Sequence, residues 1–581
     1  MNFLYPIYTE QTECQDCYKC VRQCPAKAIR VEKGHAMVIP ELCVMCGHCV
    51  TNCPSHAKRV RDDLSRAQQL FSLKEKVIVS IAPSFVSEFP EYSKEQLIAA
   101  LKKIGFWGVS ETALGADLVS EQIAKDLKGA SLNPKGQRLF LSSACPSVVE
   151  YIKHFLPNLS SYITDRASPL LAHSRFLKET YGDKVGVVFV GPCIAKKRES
   201  DIWRITDVSI TFNDLYRWFA EAEVNPATVK INPEEDVFIP TRAGKGSLYP
   251  VDGGMIASIK KYDDFRDVHF MTITGLNEID ISLRGLDASE LKEPLFIELL
   301  SCVGGCINGP SSTKNQSLAI KRVNLVDYAS TSPEFPERVS KKGTVDLSGV
   351  LPITSTPEDV HSDEEIRTAL RSVGKYTRED ELNCACCGYD TCRKFAEAML
   401  DNRAEKTMCL SYMRKLAQKK ANGLVQAIPS GVLVADKNMK IVECNMNFAK
   451  LMGSDVVDMY DAKPGLEGAD LTRIVSFHRF FEDVLAINGP DVIEREVREG
   501  KRIFHVTVFA IEKGECAGGV IEDITAPQIQ KHRIVSQARK VIDKNLSVVQ
   551  KIAFLLGENA AETESMLNSI IDSFSEEEDD T

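Results

Sequence analysis

Residues 14–25 read CQDCYKCVRQCP, and residues 43–54 read CVMCGHCVTNCP. Both obey Cys-x2-Cys-x2-Cys-x3-Cys-Pro, so one spacing is written twice in the first 54 residues. A run of this kind holds a 4Fe–4S cluster, and where two occur in tandem the fourth cysteine of each ligates the other cluster. The expected ligand sets are therefore crossed. Cys14, Cys17, Cys20 and Cys53 form one, and Cys43, Cys46, Cys49 and Cys24 form the second. Zinc or a disulfide framework are the alternatives for closely spaced cysteines. Two tandem matches, each with its trailing proline, disfavour both. The leading segment reads as a module that handles electrons.

Outward from it, the 581 residues are too many for a single core, and roughly three to five domains are expected. Hydrophobic residues at 44% and charged residues at 26% are ordinary for globular chains, so no disordered or fibrous class is indicated. No run approaches ~20 uninterrupted apolar residues, so no membrane span is expected. The start lacks a basic stretch followed by an apolar one, so no secretion signal is read, and thiolate-rich motifs then point to a reducing cytoplasm. A net charge of −10 gives no reason to expect nucleic acid.

Beyond residue 70 the pattern changes to alternating strands and helices. Runs 77–82, 138–142, 185–190 and 295–300 are short and apolar, as buried parallel strands are. Helical stretches such as 94–104 and 147–155 lie between them. Three of the runs lead into cysteines: Cys145-Pro146 after the second, Cys193 after the third, and Cys302-x3-Cys306 after the fourth. Ligands bind at the carboxyl ends of strands in open α/β sheets. Four cysteines delivered there by glycine- and proline-rich loops are consistent with one four-thiolate site. Taken singly, each would read as a buried structural cysteine.

The three loops, Ser142-Ser143-Ala144-Cys145-Pro146, Gly191-Pro192-Cys193-x2-Lys196-x2-Glu199 and Glu298-x3-Cys302-x3-Cys306, resemble the active-site signatures of the iron-only (FeFe) hydrogenases: T-S-C-C-P, M-P-C-x-x-K-x-x-E and E-x-M-x-C-x-x-G-C. The resemblance covers roughly residues 1–320, counting the two-cluster ferredoxin module in front. It implies an H-cluster, a 4Fe–4S cubane joined through one cysteine to a diiron centre carrying CO, CN⁻ and a bridging azadithiolate. On it, Cys145, Cys193, Cys302 and Cys306 hold the cubane, with Cys306 bridging to the diiron unit. Lys196 contacts a cyanide ligand, and Glu199 and Glu298 are supporting carboxylates. Without the family, Lys196 would read as a solvated lysine.

The departures from that pattern carry as much meaning. Catalytic members place a proton-shuttling cysteine where this chain has Ala144, and a relay glutamate at the position aligned with Ile123, beyond Gly115-Ala116-Asp117-Leu118. The two methionines near the diiron centre become Gly191 and Leu300. Proton delivery by a positioned acid is typically worth ~10²–10⁴ in rate. Ligands kept and delivery lost is the pattern of the branch of the family read as sensory.

A third constellation, Cys384-x2-Cys387-Gly388-Tyr389-x2-Cys392-x16-Cys409, resembles the small four-cysteine 4Fe–4S domain of electron-transport subunits; zinc is the alternative. Cys386 is an extra thiol without an assigned role. From about residue 421 the order strand, turn, strand, helix, then strands 503–511 and 518–521 ending in Glu522-Asp523-Ile524-Thr525, resembles a PAS sensory domain. Val535, Ala538, Ile542, Val549, Ile552 and Leu556 continue at helical spacing.

The expectation is a multidomain α/β and α+β chain. Residues 1–70 form a two-cluster ferredoxin domain and 75–330 an FeFe-hydrogenase-like domain. A linker at 331–363 leads to a small helical 4Fe–4S domain at 364–419. A PAS domain at 421–526, a C-terminal helix at 527–574 that signals or dimerises, and an acidic tail at 575–581 complete it. The expected function is binding or slow turnover of hydrogen with redox state relayed to the PAS module. Expected partners are H2 and protons, a redox protein such as ferredoxin, a downstream signalling protein and a second copy of the chain. The alternatives are a working hydrogenase component and an iron–sulfur redox sensor without a diiron centre.

Overall fold

In the computed structural model, residues 5–133, 135–333, 345–350, 352 and 360–525 are described. They divide into two units, 1–406 and 407–581. The expected exit helix and acidic tail lie outside the described residues.

The first unit begins with a short hairpin-like frame. Strand β1 (Ile7–Thr9) pairs antiparallel with β4 (Lys58–Val60), and β2 (Ile29–Glu32) with β3 (His35–Val38). Two five-residue helices, Lys19–Gln23 and His48–Asn52, carry the third cysteine of each run. The matched halves repeat one design, as the tandem spacing implies.

The next stretch differs from the expectation in one respect: the parallel strands form two sheets. Strands β5 (Val77–Ile81), β6 (Gly108–Glu111), β8 (Gly186–Gly191) and β9 (Val208–Thr211) make a four-stranded sheet in the order β6-β5-β8-β9. Strands β7 (Leu139–Leu141), β10 (His269–Thr274) and β11 (Leu295–Leu300) make a three-stranded one in the order β10-β11-β7. All pairings in both are parallel. The strands missing from the sequence reading are β6, β9 and β10. Gly108–Glu111 carries serine and glutamate, and β10 (HFMTIT) alternates with exposed residues, so neither reads as a continuous apolar run.

Helices start where local chemistry dictates. Ser93 and Thr211 form capping boxes with Gln96 and Asp214, satisfying free amides of the first turn. Pro146 and Pro169 occupy first turns, where a missing N–H costs nothing. Within 331–363, the described residues 345–350 are fastened rather than free. The Leu347 carbonyl accepts from the Ala167 amide at 2.8 Å, and Arg175 donates to the carbonyls of Asp346 and Ser348. Residues 361–406 form a small helical lobe, with helices Asp363–Arg371 and Cys392–Leu400, docked on the ferredoxin segment. The contacts are Val31 N to Arg403 O at 2.9 Å and Lys27 Nζ to Gly388 O at 2.7 Å.

The second unit is a five-stranded antiparallel sheet. Its strands are β12 (Gly431–Asp436), β13 (Ile441–Cys444), β14 (Val492–Glu499), β15 (Arg502–Glu512) and β16 (Cys516–Asp523), ordered β13-β12-β16-β15-β14. The order brings together the strands that the sequence reading placed in one sensory-type module. Asn445 caps the helix Met446–Met452, and Gly453, at φ +119°, ends it. Phe448, Phe481 and Phe504 fill the core against the sheet. β14 was not expected, because its charged sequence VIEREVRE is largely exposed. Among the described residues no helix is long and apolar enough to cross a membrane.

Candidate iron–sulfur and hydrogenase-like site

The two tandem runs are drawn together in crossed fashion. Cys20 feels the sulfurs of Cys17, Cys14 and Cys53, and Cys49 those of Cys43, Cys46 and Cys24, with the Lys58 ammonium opposing them at both. Burial, reinforced by these neighbouring sulfurs, pushes the Cys20 thiol up to about 11 and Cys49 well above its ordinary range. Such groups hold thiolates only beside a compensating cation, which iron provides.

Cys145, Cys193, Cys302 and Cys306 likewise converge. Cys145 caps the helix Pro146–Phe155 at the end of β7; Cys193 follows β8; Cys302 and Cys306 follow β11. The site thus lies where the carboxyl ends of two separate sheets meet. Gly304 and Gly305 make the last turn possible: both have positive φ, and a Cβ on Gly305 would lie 2.1 Å from the Pro250 carbonyl. Cys302 feels Cys306, Cys193 and Cys145, and also Cys46 of the ferredoxin segment. Burial and the Cys145 sulfur hold Cys193 at about 11. Four half-buried thiols converging from three loops are a donor set suited to a cluster.

Lys196, on the helix Ala195–Trp203, is buried, and its ammonium donates to Glu199 Oε2 at 2.7 Å. Its positive charge reaches both Cys193 and Cys306. Glu298, on β11, accepts from the Met255 amide and the Thr272 hydroxyl, each at 3.1 Å. Burial raises its carboxyl to about 7. Ala144 and Ile123 belong to one apolar cluster with Val119, Leu127, Phe140 and Met255. Gly191 is closed to any side chain, since a Cβ there would sit 2.6 Å from Phe189 Cζ and 2.8 Å from Ala82 Cβ.

Sequence reasoning missed the supports. The run Lys196-Lys197-Arg198 reads as surface charge, yet Lys197 is 1% exposed. Its ammonium bonds Asp63 at 3.1 Å and Asp214 at 3.2 Å, and Arg61 bonds Asp63 at 3.0 Å. Burial alone would raise the Asp63 carboxyl, but Lys197 and Arg61 win and hold it low. Arg198 pairs with Glu150 at 3.0 Å and bonds the Tyr5 hydroxyl, which donates to the Cys43 carbonyl at 3.3 Å. Only the placement of these residues immediately after Lys196 signalled them.

In the third lobe, Cys384 and Cys387 flank a turn closed by Gly388 N to Ala385 O at 2.9 Å. The Cys392 amide returns to Asn383 Oδ1 at 2.8 Å. Cys409 begins the helix Leu410–Ala427 of the second unit. Cys386 is exposed.

Residues 75–310 match the family model of the iron-only hydrogenase large subunit, C-terminal domain; residues 13–58 match a 4Fe-4S dicluster domain, and 380–411 an Fe-S cluster domain. The chain is an FeFe-hydrogenase-like iron–sulfur protein. Among curated proteins, iron hydrogenase 1 of Clostridium pasteurianum is 25% identical over 335 residues, 48% of this chain and 58% of that one. The chain thus spans little more than half of that relative. The cytosolic Fe-S cluster assembly factor narfl of Danio rerio is 25% identical over 340 residues, 47% of this chain and 82% of its own. A solved FeFe-hydrogenase HydA1 from Chlamydomonas reinhardtii is 18% identical, with 48% of this chain and 92% of that one aligned at a TM-score of 0.37. The hydrogenase-like domain therefore sits between two 4Fe–4S segments in the chain, with the PAS-type sheet following.

Proposed function

We propose that this protein binds hydrogen, or turns it over slowly, at an H-cluster, and that its redox state is relayed to the PAS module as a signal. The observation that carries this is the contrast within one site. Four convergent cysteines and the buried Lys196–Glu199 pair are kept, while Ala144 and Ile123 fill the proton path with hydrocarbon. When bound, the diiron unit supplies the centre at which hydrogen is split or formed. Cys145, Cys193, Cys302 and Cys306 would hold the cubane, Cys306 bridging to it, and Lys196 would hold a cyanide ligand by its ammonium. Glu199 keeps that ammonium oriented, and Glu298 ties β11 to the helix Gly254–Ile259. Neither alanine nor isoleucine carries an exchangeable proton, so delivery to the site is slow.

The ferredoxin ligands would be Cys14, Cys17, Cys20 and Cys53, and Cys43, Cys46, Cys49 and Cys24. Those of the third cluster would be Cys384, Cys387, Cys392 and Cys409. A cytoplasmic location, a homodimer through the C-terminal helix, and a signalling protein downstream belong to the same reading. A second reading, a redox protein without a diiron unit, is favoured by the closed position at Gly191 and by the similarity to the Danio rerio assembly factor. Infrared spectroscopy decides between them. After maturation with a synthetic diiron precursor, CO and CN⁻ bands that change under hydrogen are expected. Absence of bands with the cubanes fully loaded leaves the second reading standing.

A further inference from the structure

The third lobe holds a cavity of about 550 Å³, bordered by the helix Asp363–Arg371, the loop that follows it and the start of the helix Cys392–Leu400. Hollows of that size take small molecules. Its lining is lopsided in charge. Five cations border it, Arg367, Arg371, Lys375, Arg378 and Arg393, against two carboxylates, Asp363 and Glu381. The chain as a whole carries −10, so the cavity reverses the sign locally.

The carboxylates do not balance the cations. Asp363 is shared, since Arg367 pairs with one of its oxygens at 2.9 Å and Arg393 bonds the other. Arg371 reaches Glu364 only loosely, at 3.7 Å. Lys375 is buried and gives its ammonium to a neutral acceptor, the Asp380 carbonyl, at 2.6 Å. Arg378 has no carboxylate oxygen within 4.0 Å among the described residues. Like charges gathered around one hollow repel, and an anion seated among them relieves that cost. The loop that presents Lys375 and Arg378 is fixed: Asp380 Oδ2 accepts from the Tyr376 amide at 2.9 Å and the Thr377 amide at 3.0 Å. Tyr376 borders the same cavity and is 74% exposed, a flat ring left in water beside the cations.

We propose that this cavity binds a small phosphate-bearing anion, the linked phosphates of a pyrophosphate or of a nucleotide. Guanidinium forks match phosphate oxygens in pairs, and Arg367, Arg371 and Arg378 supply them from two sides, with Lys375 as a point charge at the loop. The bound phosphates bridge the helix Asp363–Arg371 to the loop after it. Tyr376 stacks on a base where the phosphates belong to a nucleotide, and contributes nothing where they are inorganic. The site is independent of the hydrogen reading, because none of its residues belongs to the four-cysteine site.

The test is isothermal titration calorimetry of the full reconstituted chain with pyrophosphate at low salt. Saturable binding of one pyrophosphate per chain, at about 1 mM or tighter, is expected. Arg378→Gln and Arg371→Gln change exposed side chains without a close ion pair, and each should weaken binding about tenfold. Lys394→Gln removes an equal charge from an exposed position on the same lobe outside the cavity, and should leave the affinity within about twofold. ADP separates the two sources. Binding tighter than pyrophosphate, with the gain lost in Tyr376→Leu, assigns a nucleotide; binding equal to pyrophosphate assigns the phosphates alone. No saturable binding up to about 10 mM pyrophosphate would overturn the proposal, as would equal weakening in Lys394→Gln. Either result leaves the hydrogen reading untouched, and a failure of the infrared test leaves this site untouched.

Discussion

Ala144 is a single methyl beside Cys145, a proposed cluster ligand, and its consequence follows from its lack of an ionisable proton. Ala144→Cys restores a donor, yet Ile123 still blocks the path beyond it, so the single change gives little. Ile123→Glu alone places a carboxyl among Val119, Leu127 and Met255, and costs stability by about 1–3 kcal/mol. The double variant should evolve hydrogen faster than the product of the two single effects, as members of one relay do. Rates measured at equal diiron occupancy check this, and a double variant no faster than wild type would place the slow step elsewhere. His173 shows another residue-scale effect. Fully buried, it bonds Ser80 at 2.8 Å and Ser110 at 2.9 Å, and burial lowers its pKa to about 3. An unfolded histidine titrates near 6.5. Between about 6.5 and 3 the unfolded chain takes up a proton that the folded chain refuses, so stability falls as pH drops. Urea unfolding at pH 7.5 and 5 should show a loss of about 2 kcal/mol in the wild type, and a smaller one in His173→Gln.

The helix Ala195–Trp203 joins the two electron-handling parts of the first unit. Its start positions Cys193 and Lys196, and its flank carries Lys197 into the Asp63–Asp214 pair and Arg198 onto Tyr5 and Glu150. Asp63 belongs to the ferredoxin side, so this helix ties the module to the four-cysteine site. Lys197→Met leaves Asp63 and Asp214 buried without their shared cation and should destabilise the unit by about 3–5 kcal/mol. Denaturant unfolding measures that. The burial of Lys197 was not legible, because one-dimensional spacing does not reveal which lysine points inward. The spacing of Cys193, Lys196 and Glu199 was legible, since ligand geometry restricts residue type at each position. Strands β6, β9 and β10 were not, because their burial comes from neighbours distant in sequence.

Across the molecule, four complete cysteine quartets predict about sixteen irons per reconstituted chain lacking the diiron unit. Iron and zinc analysis checks this, and a reproducible value near twelve with bound zinc would remove the third cluster. The twelve proposed ferredoxin and third-lobe ligands, the four-cysteine loops and the order of strands in the second unit are legible in the sequence, because cluster spacing and strand alternation are local patterns that survive any arrangement of domains. Tertiary structure alone decided three things. The parallel strands divide into two sheets whose ends meet at the cysteines. Cys302 faces Cys46. The third lobe docks on the ferredoxin segment through Gly388, some 360 residues along the chain from Lys27. Chain order sets the third constellation after the hydrogenase-like segment; contact sets its lobe beside the ferredoxin segment. Electron transfer depends on separation in space, and which cysteines become neighbours is decided by packing between segments that no local spacing encodes.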